Sequence, residues 1–302
     1  MFLQLPKINF MDVDGELART VVAVAEAGTL DAAAARLHIT PSAVSQRLKA
    51  LELQLGRPVL HRTRPVELTS AGESVLRFAR QLDLLTADLR AELAPDWAGG
   101  PVPVTIVVNA DSLHTWALRP LAALADRAAI EVLREDEAHS VTLLRRGAAA
   151  GAVTGDASPV PGCSVEPLGV MRYLAVCAPP FGRRWFADGV TAAALATAPV
   201  VGFDRKDDLQ RQCLHRLTRT AVTPPTHYVP ASAEYAEAIG LGMGWGMLPE
   251  IEVREQVRTG ELVRLGERGV VDVALYWQHW RRSSALLREI GDALREAAAV
   301  LR

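Results

Sequence analysis

The segment AARLHITPSAVSQRLKALELQLGRPVLHR, Ala34 to Arg62, reads as two helices joined by a three-residue turn, followed by the start of a hairpin. His38-Ile39-Thr40 is the turn. Thr40 can accept a hydrogen bond from the first helical turn, and Pro41 stands at the first helical position, where its missing N–H is no loss. The helix they open runs to Leu55, and Gly56-Arg57-Pro58 stops it. Val44, Leu48, Leu51 and Leu55 fall on one face and need an apolar partner, whereas Ser42, Ser45, Gln46 and Lys49 fall on the other. The partner lies upstream. Asp14 to Ala27 carries Leu17, Val21, Val24 and Ala25 at helical spacing, Gly28 ends it, and Thr29 caps a helix over Leu30 to Leu37. Residues 1–12 have no pattern of their own. Downstream, Val59 to Leu68 reads as a small hairpin, and Thr69 and Ser70 cap a long fourth helix ending near Leu93.

Charge gives the open face of the second helix a meaning. The whole chain has 33 Lys+Arg against 35 Asp+Glu, a net charge of −2, so it is no polycation. Between Ala34 and Arg64, however, six cations (Arg36, Arg47, Lys49, Arg57, Arg62, Arg64) face one acid, Glu52. Hydroxyls, an amide and cations on one helix are the groups that bond phosphates and base edges. Helix, short turn, helix and hairpin is the arrangement of a winged helix-turn-helix, whose second helix enters the major groove of double-stranded DNA. A three-helix cap with a solvated basic face would share the helical pattern. Arg62 and Arg64, placed where a wing would meet the DNA backbone, favour the DNA reading.

Along the fourth helix Val75, Phe78, Leu82, Leu85 and Leu89 follow a 3-4-3-4 spacing with charges on the flanks, which predicts a dimerisation seam. One helix-turn-helix covers one half-site, so a homodimer suits an interrupted dyad. Ala94 to Pro101 is a linker. Beyond it strands (Val102–Asn109, Ile130–Leu133, Gly151–Thr154) alternate with helices (Leu113–Ala125, Ser140–Arg146), which predicts parallel α/β layers.

Several classes are excluded. The charge-free stretches are short and broken by Pro or Gly, so no membrane span is expected. MFLQLPKINF does not read as an export leader, and the three cysteines read as free thiols in a reducing, cytoplasmic compartment. No HExxH, GxSxG, P-loop or zinc spacing is present, so neither catalytic nor metal residues are assigned and no cofactor is expected. Gly240, Gly242, Gly244 and Gly246 lack the third position of a dinucleotide motif and mark a tight helix-to-strand turn into Trp245–Leu248.

The body instead carries polar residues at strand ends, where open α/β sheets bind small ligands. These are Asp111 and Ser112, with Ser112 expected to cap the next helix and leave N–H groups for a carboxylate; Glu135 and Asp136; Thr154; and Asp204. His139 is a second choice. A helix start beside several acids suits a zwitterion with an extra positive charge. Trp116, Tyr276, Trp277 and Trp280 are expected in the core or an interface.

The run from Ala34 to Arg62 resembles the DNA-binding domain of LysR-type transcriptional regulators. That resemblance implies an α+β multidomain chain: an N-terminal winged helix-turn-helix (1–68), a long linker helix for dimerisation (69–94), a hinge (95–101), and a two-lobed α/β effector domain like periplasmic binding proteins (102–302). Lobe I would span about 102–176 and 270–302, and lobe II about 177–269. Asn-Ala-Asp-Ser-x-x-Thr-Trp (109–116), Glu-Asp-x-x-His-Ser (135–140), Gly-Ala-Val-Thr (151–154), Pro-Val-Pro-Gly-Cys (159–163), Met-Arg-Tyr-Leu (171–174), Gly-Trp-Gly-Met-x-Pro-Glu (244–250) and Tyr-Trp-Gln-x-Trp (276–280) are similar to the ArgP/LysG branch. The branch implies lysine or arginine as co-effector, activation of an amino-acid exporter gene, pairing of dimers into a tetramer, and contact with RNA polymerase. A replication-origin or chromosome-binding role on the same scaffold is the alternative.

Overall fold

A computed structural model describes residues 13–61, 63–93, 100–134, 137–219, 221–282 and 284–302. The head is built from α1 (Gly15–Ala27), α2 (Leu30–Leu37), α3 (Pro41–Leu55) and a hairpin of β1 (Leu60–His61) and β2 (Glu67–Leu68). The helix signals act as expected. Asp14, Thr29 and Thr40 each accept a first-turn N–H, and Gly28 and Gly56 end α1 and α3 in the left-handed region. Val21, Val24, Val44, Leu48, Leu51 and Val59 form the head's core. Burying a leucine such as Leu51 contributes roughly 1.5–3 kcal/mol, so the apolar face of α3 is what turns its polar face outward.

The neck α4 (Ser70–Leu93) grows out of the hairpin. Thr69 N donates to Val59 O and Thr69 Oγ1 accepts from Gly72 N. Gly72 must be glycine, because a Cβ there would lie 2.1 Å from Val59 O.

The body follows as β3 (Val102–Val107), α5 (Ala110–Ser112), a π-turn at Leu113–Ala117, α6 (Leu118–Ala122), β4 (Ala128–Leu133), α7 (Glu137–Arg146) and β5 (Gly151–Thr154). The long β6 (Cys163–Cys177) leads to α8 (Pro179–Trp185), α9 (Ala192–Thr197), β7 (Val200–Gly202), α10 (Leu209–Thr218), β8 (Thr226–Tyr228), α11 (Ser232–Gly240), β9 (Gly246–Pro249), α12 (Glu250–Thr259) and β10 (Val263–Arg264). The long β11 (Val270–Trp280) then returns, and α13 (Ala285–Ala297) closes the chain. The main sheet runs β10-β6-β11-β5-β3-β4, with β9 also on β6. Strands β3, β4 and β5 are mutually parallel, β7 and β8 form a separate parallel pair, and β6 and β11 cross between the two regions as antiparallel partners. Trp277, buried on β11, sets the spacing around it: a Cβ at Gly151 would meet its ring at 2.2 Å, and one at Gly291 would meet its Nε1 at 2.8 Å.

Two local readings change. The first body strand stops at Val107, and the helix expected at Leu113 begins at Ala110. Asn109, in extended backbone, takes the cap position and accepts from Ser112 N at 2.8 Å, so Ser112 lies inside the helical run and is not its cap. A short polar side chain in the cap position reaches the N–H three residues on, which a hydroxyl already inside the turn cannot do.

Candidate functional site

On the head, Ser42, Ser45, Gln46 and Lys49 are all exposed on α3. Ser45 Oγ donates to Pro41 O at 3.0 Å, and Ser42 Oγ shares a hydrogen bond with Thr40 Oγ1 at 2.9 Å. Arg47 differs. Its Nη2 lies 2.8 Å from Glu16 Oε1 of α1, which draws its charge into the head. Arg64 is exposed in the hairpin, and Arg62 lies outside the described residues. The hairpin is fixed by Val59 N donating to Glu52 Oε1 and by Val66 N donating to Gly28 O.

On the neck, Phe78, Leu85 and Leu89 are 42%, 48% and 53% exposed, large apolar groups facing solvent at helical spacing. Val75 is not part of that face: it is buried in the head's core. Leu82 is half-buried beside Gly15 of α1, near which a Cβ would meet its methyl at 2.9 Å.

In the body, the carboxyl ends of β3, β4 and β5 lie along one edge, as the parallel registers require. The carboxyl ends of β7 and β8 supply the facing residues, Phe203–Asp207 and Val229–Ser232. Asp111 sits between the two sets. Its Oδ2 accepts from Tyr173 Oη at 2.9 Å and its Oδ1 from Ser232 Oγ at 3.4 Å. Desolvation, then the charge of Asp207, outweigh those bonds and hold its pKa above the ordinary 3.8. On α12, Glu252 lies 3.4 Å from His114 Nε2, and burial together with the charge of Asp111 raises its pKa as well. Asp111 thus stands between two other acids, Asp207 acting on it from one side and Glu252, which is paired with His114, from the other. Arg134, at the end of β4, reaches the Phe203 ring at 6.0 Å from the other side.

The remaining strand-end residues play different parts. The hydroxyl of Thr154 is buried and accepts from Asp156 N at 3.1 Å. Asp204 closes a turn by accepting from Lys206 N and Asp207 N, at 2.7 and 3.0 Å; Asp207 accepts from Leu209 N at 3.0 Å in the same stretch, and it is the charge of Asp207 that bears on Asp111. Ser112 is buried, and its Oγ has no partner among the described residues. Glu135 and Asp136 lie outside the described residues, as does the side chain of His139.

Sequence reading missed Tyr173, Asp207, Ser232, His114 and Glu252. His114 was findable, since it stands three residues after Asp111 on the same helical face. Tyr173 gave no signal, because it lies within an apolar strand and only the pairing of β6 brings it to Asp111. The cysteines are buried. Burial pushes the thiols of Cys177 and Cys213 up to about 12 and raises that of Cys163. Among the described residues no group of His, Cys, Asp or Glu is placed to hold a metal, and no helix is long and apolar enough to cross a membrane.

A basic helix-turn-helix head on a two-lobed α/β body defines a ligand-responsive DNA-binding regulator. Residues 16–73 match the family described as bacterial regulatory helix-turn-helix protein, lysR family, and residues 103–299 match the LysR substrate binding domain. The chain belongs to the LysR family of transcriptional regulators. It is 44% identical over 289 residues to the HTH-type transcriptional regulator LysG of Mycobacterium tuberculosis, covering 96% of this chain and 95% of the relative. It is 40% identical over 282 residues to the lysine export transcriptional regulatory protein LysG of Corynebacterium glutamicum, covering 92% and 96%. The crystal structure of ArgP from Mycobacterium tuberculosis superposes with a TM-score of 0.88 at 44% identity, covering 96% of this chain and 99% of that one. Full-length LysG from Corynebacterium glutamicum with bound effector Arg gives 0.78 at 38% identity, again over 96% and 99%. These relatives are regulators, and this protein is a DNA-binding regulator rather than an enzyme.

Proposed function

We propose that the cleft between the lobes takes a basic amino acid, arginine or lysine, and that its occupancy changes how the head engages a promoter. One observation carries this reading: Asp111 of lobe I is buried and feels the charge of Asp207 of lobe II, while Glu252 of lobe II is buried and feels the charge of Asp111, so acids of the two lobes repel one another across a single carboxyl. A ligand ammonium or guanidinium relieves that repulsion only when the lobes are together, so it binds the closed arrangement better and shifts the population toward it. Its carboxylate would meet the start of the helical run at Ala110, where Asn109 satisfies one N–H and leaves others. Ser112 and Thr154 would line the floor, with Asp207 in the part first given to Asp204. The arginine-bound LysG of Corynebacterium glutamicum supports the choice of ligand.

At the other end, Ser42, Ser45, Gln46 and Lys49 would read the major groove while Arg62 and Arg64 contact the neighbouring backbone. Phe78, Leu85 and Leu89 would close a dimer seam with a second copy, and dimers would pair into a tetramer on an interrupted dyad. The gene controlled would encode an amino-acid exporter, activated through contact with RNA polymerase. Calorimetry with arginine, lysine and uncharged citrulline tests the effector: heat with the first two and none with citrulline is expected. Equal heat with citrulline, or none with any, overturns it.

A further inference from the structure

Arg80 on α4 bonds in two directions, to the DNA-reading head and to the effector body. Its Nη2 donates to Glu26 Oε1 of α1 at 2.9 Å, and the other carboxylate oxygen of Glu26 holds Arg36 Nη2 of α2 at 2.7 Å. Its Nη1 donates in the opposite direction, to Gly147 O at 3.1 Å and to Ala148 O. One guanidinium thus bridges the head and the carbonyls that end α7, and its planar fork makes that bridge directional in a way a lysine cannot.

The seat on the body is tight. Gly147 has φ 73°, and a Cβ there would lie 2.5 Å from Arg77 Cβ and 2.8 Å from Arg77 Cα, so the end of α7 rests on the neck backbone. From this seat the chain runs straight into the sheet. Ala150 N donates to Thr105 O, and Gly151 to Thr154 form β5 between β3 and β11. The far end of β5 is Thr154, at the cleft. A short, buried strand therefore has the neck at one end and the proposed effector floor at the other.

We propose that Arg80 is the positioning residue that couples the orientation of lobe I to that of the helix-turn-helix. A shift of lobe I relative to the neck changes the reach from Nη1 to the two carbonyls, and Glu26 and Arg36 transmit it to the helices flanking α3. Coupling of this kind needs a contact that differs between two arrangements, and a directional fork bonded to both bodies supplies one. The inference rests on the effector reading above.

The test uses the full chain with Arg80→Met, Arg80→Lys and Glu26→Gln, and with Arg146→Ala as control, since Arg146 pairs with Glu73 of the neck through a more exposed bridge. Calorimetry gives arginine affinity, and gel shifts give the change in promoter affinity that saturating arginine causes. For Arg80→Met we expect arginine affinity within about twofold of wild type while the arginine-driven change, about 5-fold or more in typical allosteric proteins, falls to near unity. Arg80→Lys restores part of it, Glu26→Gln falls between, and Arg146→Ala keeps all of it. A wild-type response in both Arg80→Met and Glu26→Gln overturns the proposal. If wild type binds no arginine, the effector reading fails instead. The coupling is then read from spin labels at Leu53→Cys and Glu267→Cys, where a head-to-body distance distribution broadened by Arg80→Met sustains the proposal and an unchanged one overturns it. Should Arg80→Met not fold, Glu26→Gln alone decides by the same criteria.

Discussion

Lys49 and Arg47 are two residues apart on α3 and carry the same charge, yet the structure separates their roles sharply. Lys49 is exposed, whereas Arg47 is bound to Glu16 at 2.8 Å with its side chain 29% exposed. Neutralising one phosphate contact changes the salt slope of DNA binding by about 0.9, so Lys49→Ala in a dimer, with two copies affected, lowers it by about 1.8. Between 50 and 200 mM salt that slope converts to about a 12-fold narrowing of the wild-type advantage in affinity. Arg47→Ala should leave the slope nearly unchanged and instead cost about 0.2–1 kcal/mol of stability through the lost head pair. Fluorescence anisotropy on one promoter fragment across a salt series, with thermal melts of each variant, measures both. Equal slope losses for the two variants, or none for Lys49→Ala in a folded protein, would refute the assignment of the DNA-facing side.

The remaining expectations concern the body and neck. Asp111 binds its proton more tightly in the folded chain than in the unfolded one, so its contribution to stability falls as pH rises from the ordinary 3.8 through its raised folded value. Asp111→Asn should accordingly raise the melting temperature of the unliganded protein at pH 7, with the gain fading as pH is lowered toward 4, while arginine binding weakens; a variant that melts lower at neutral pH contradicts this. Native protein at pH 8 should react slowly with a thiol reagent and release all three thiols only on denaturation, because burial holds Cys177 and Cys213 up at about 12; rapid labelling of the folded chain would show otherwise. Gly151→Ala should destabilise by about 1–3 kcal/mol in urea melts through overpacking against Trp277. Phe78→Glu with Leu85→Glu should yield monomers in sedimentation, since both side chains face solvent within the single chain.

Much of the head was legible because its signals are local. Asp14, Thr29 and Thr40 cap, Gly28 and Gly56 terminate, and the period of Val44, Leu48 and Leu51 points the polar side of α3 outward without any distant contact. The neck shows where that stops. Val75, Phe78, Leu82, Leu85 and Leu89 share one heptad pattern, but only packing against α1 and the hairpin decides that Val75 belongs to the head while Phe78, Leu85 and Leu89 stay uncovered. Periodicity records which residues share a stripe and says nothing about what covers it.

The sequence alone therefore determined the helix-turn-helix, its basic face and the α/β texture of the body, all of which rest on short-range spacing, and its motifs carried the resemblance to the family. Tertiary structure alone decided which acids meet. Asp207 and Glu252 stand far from Asp111 in the chain, and each reaches it only through the return of β11 and the pairings of β6. It also decided that Asp204 serves a turn and that Arg80 spans head and body. Electrostatic work depends on distance and on exclusion of water, and neither is written in the order of residues along a chain.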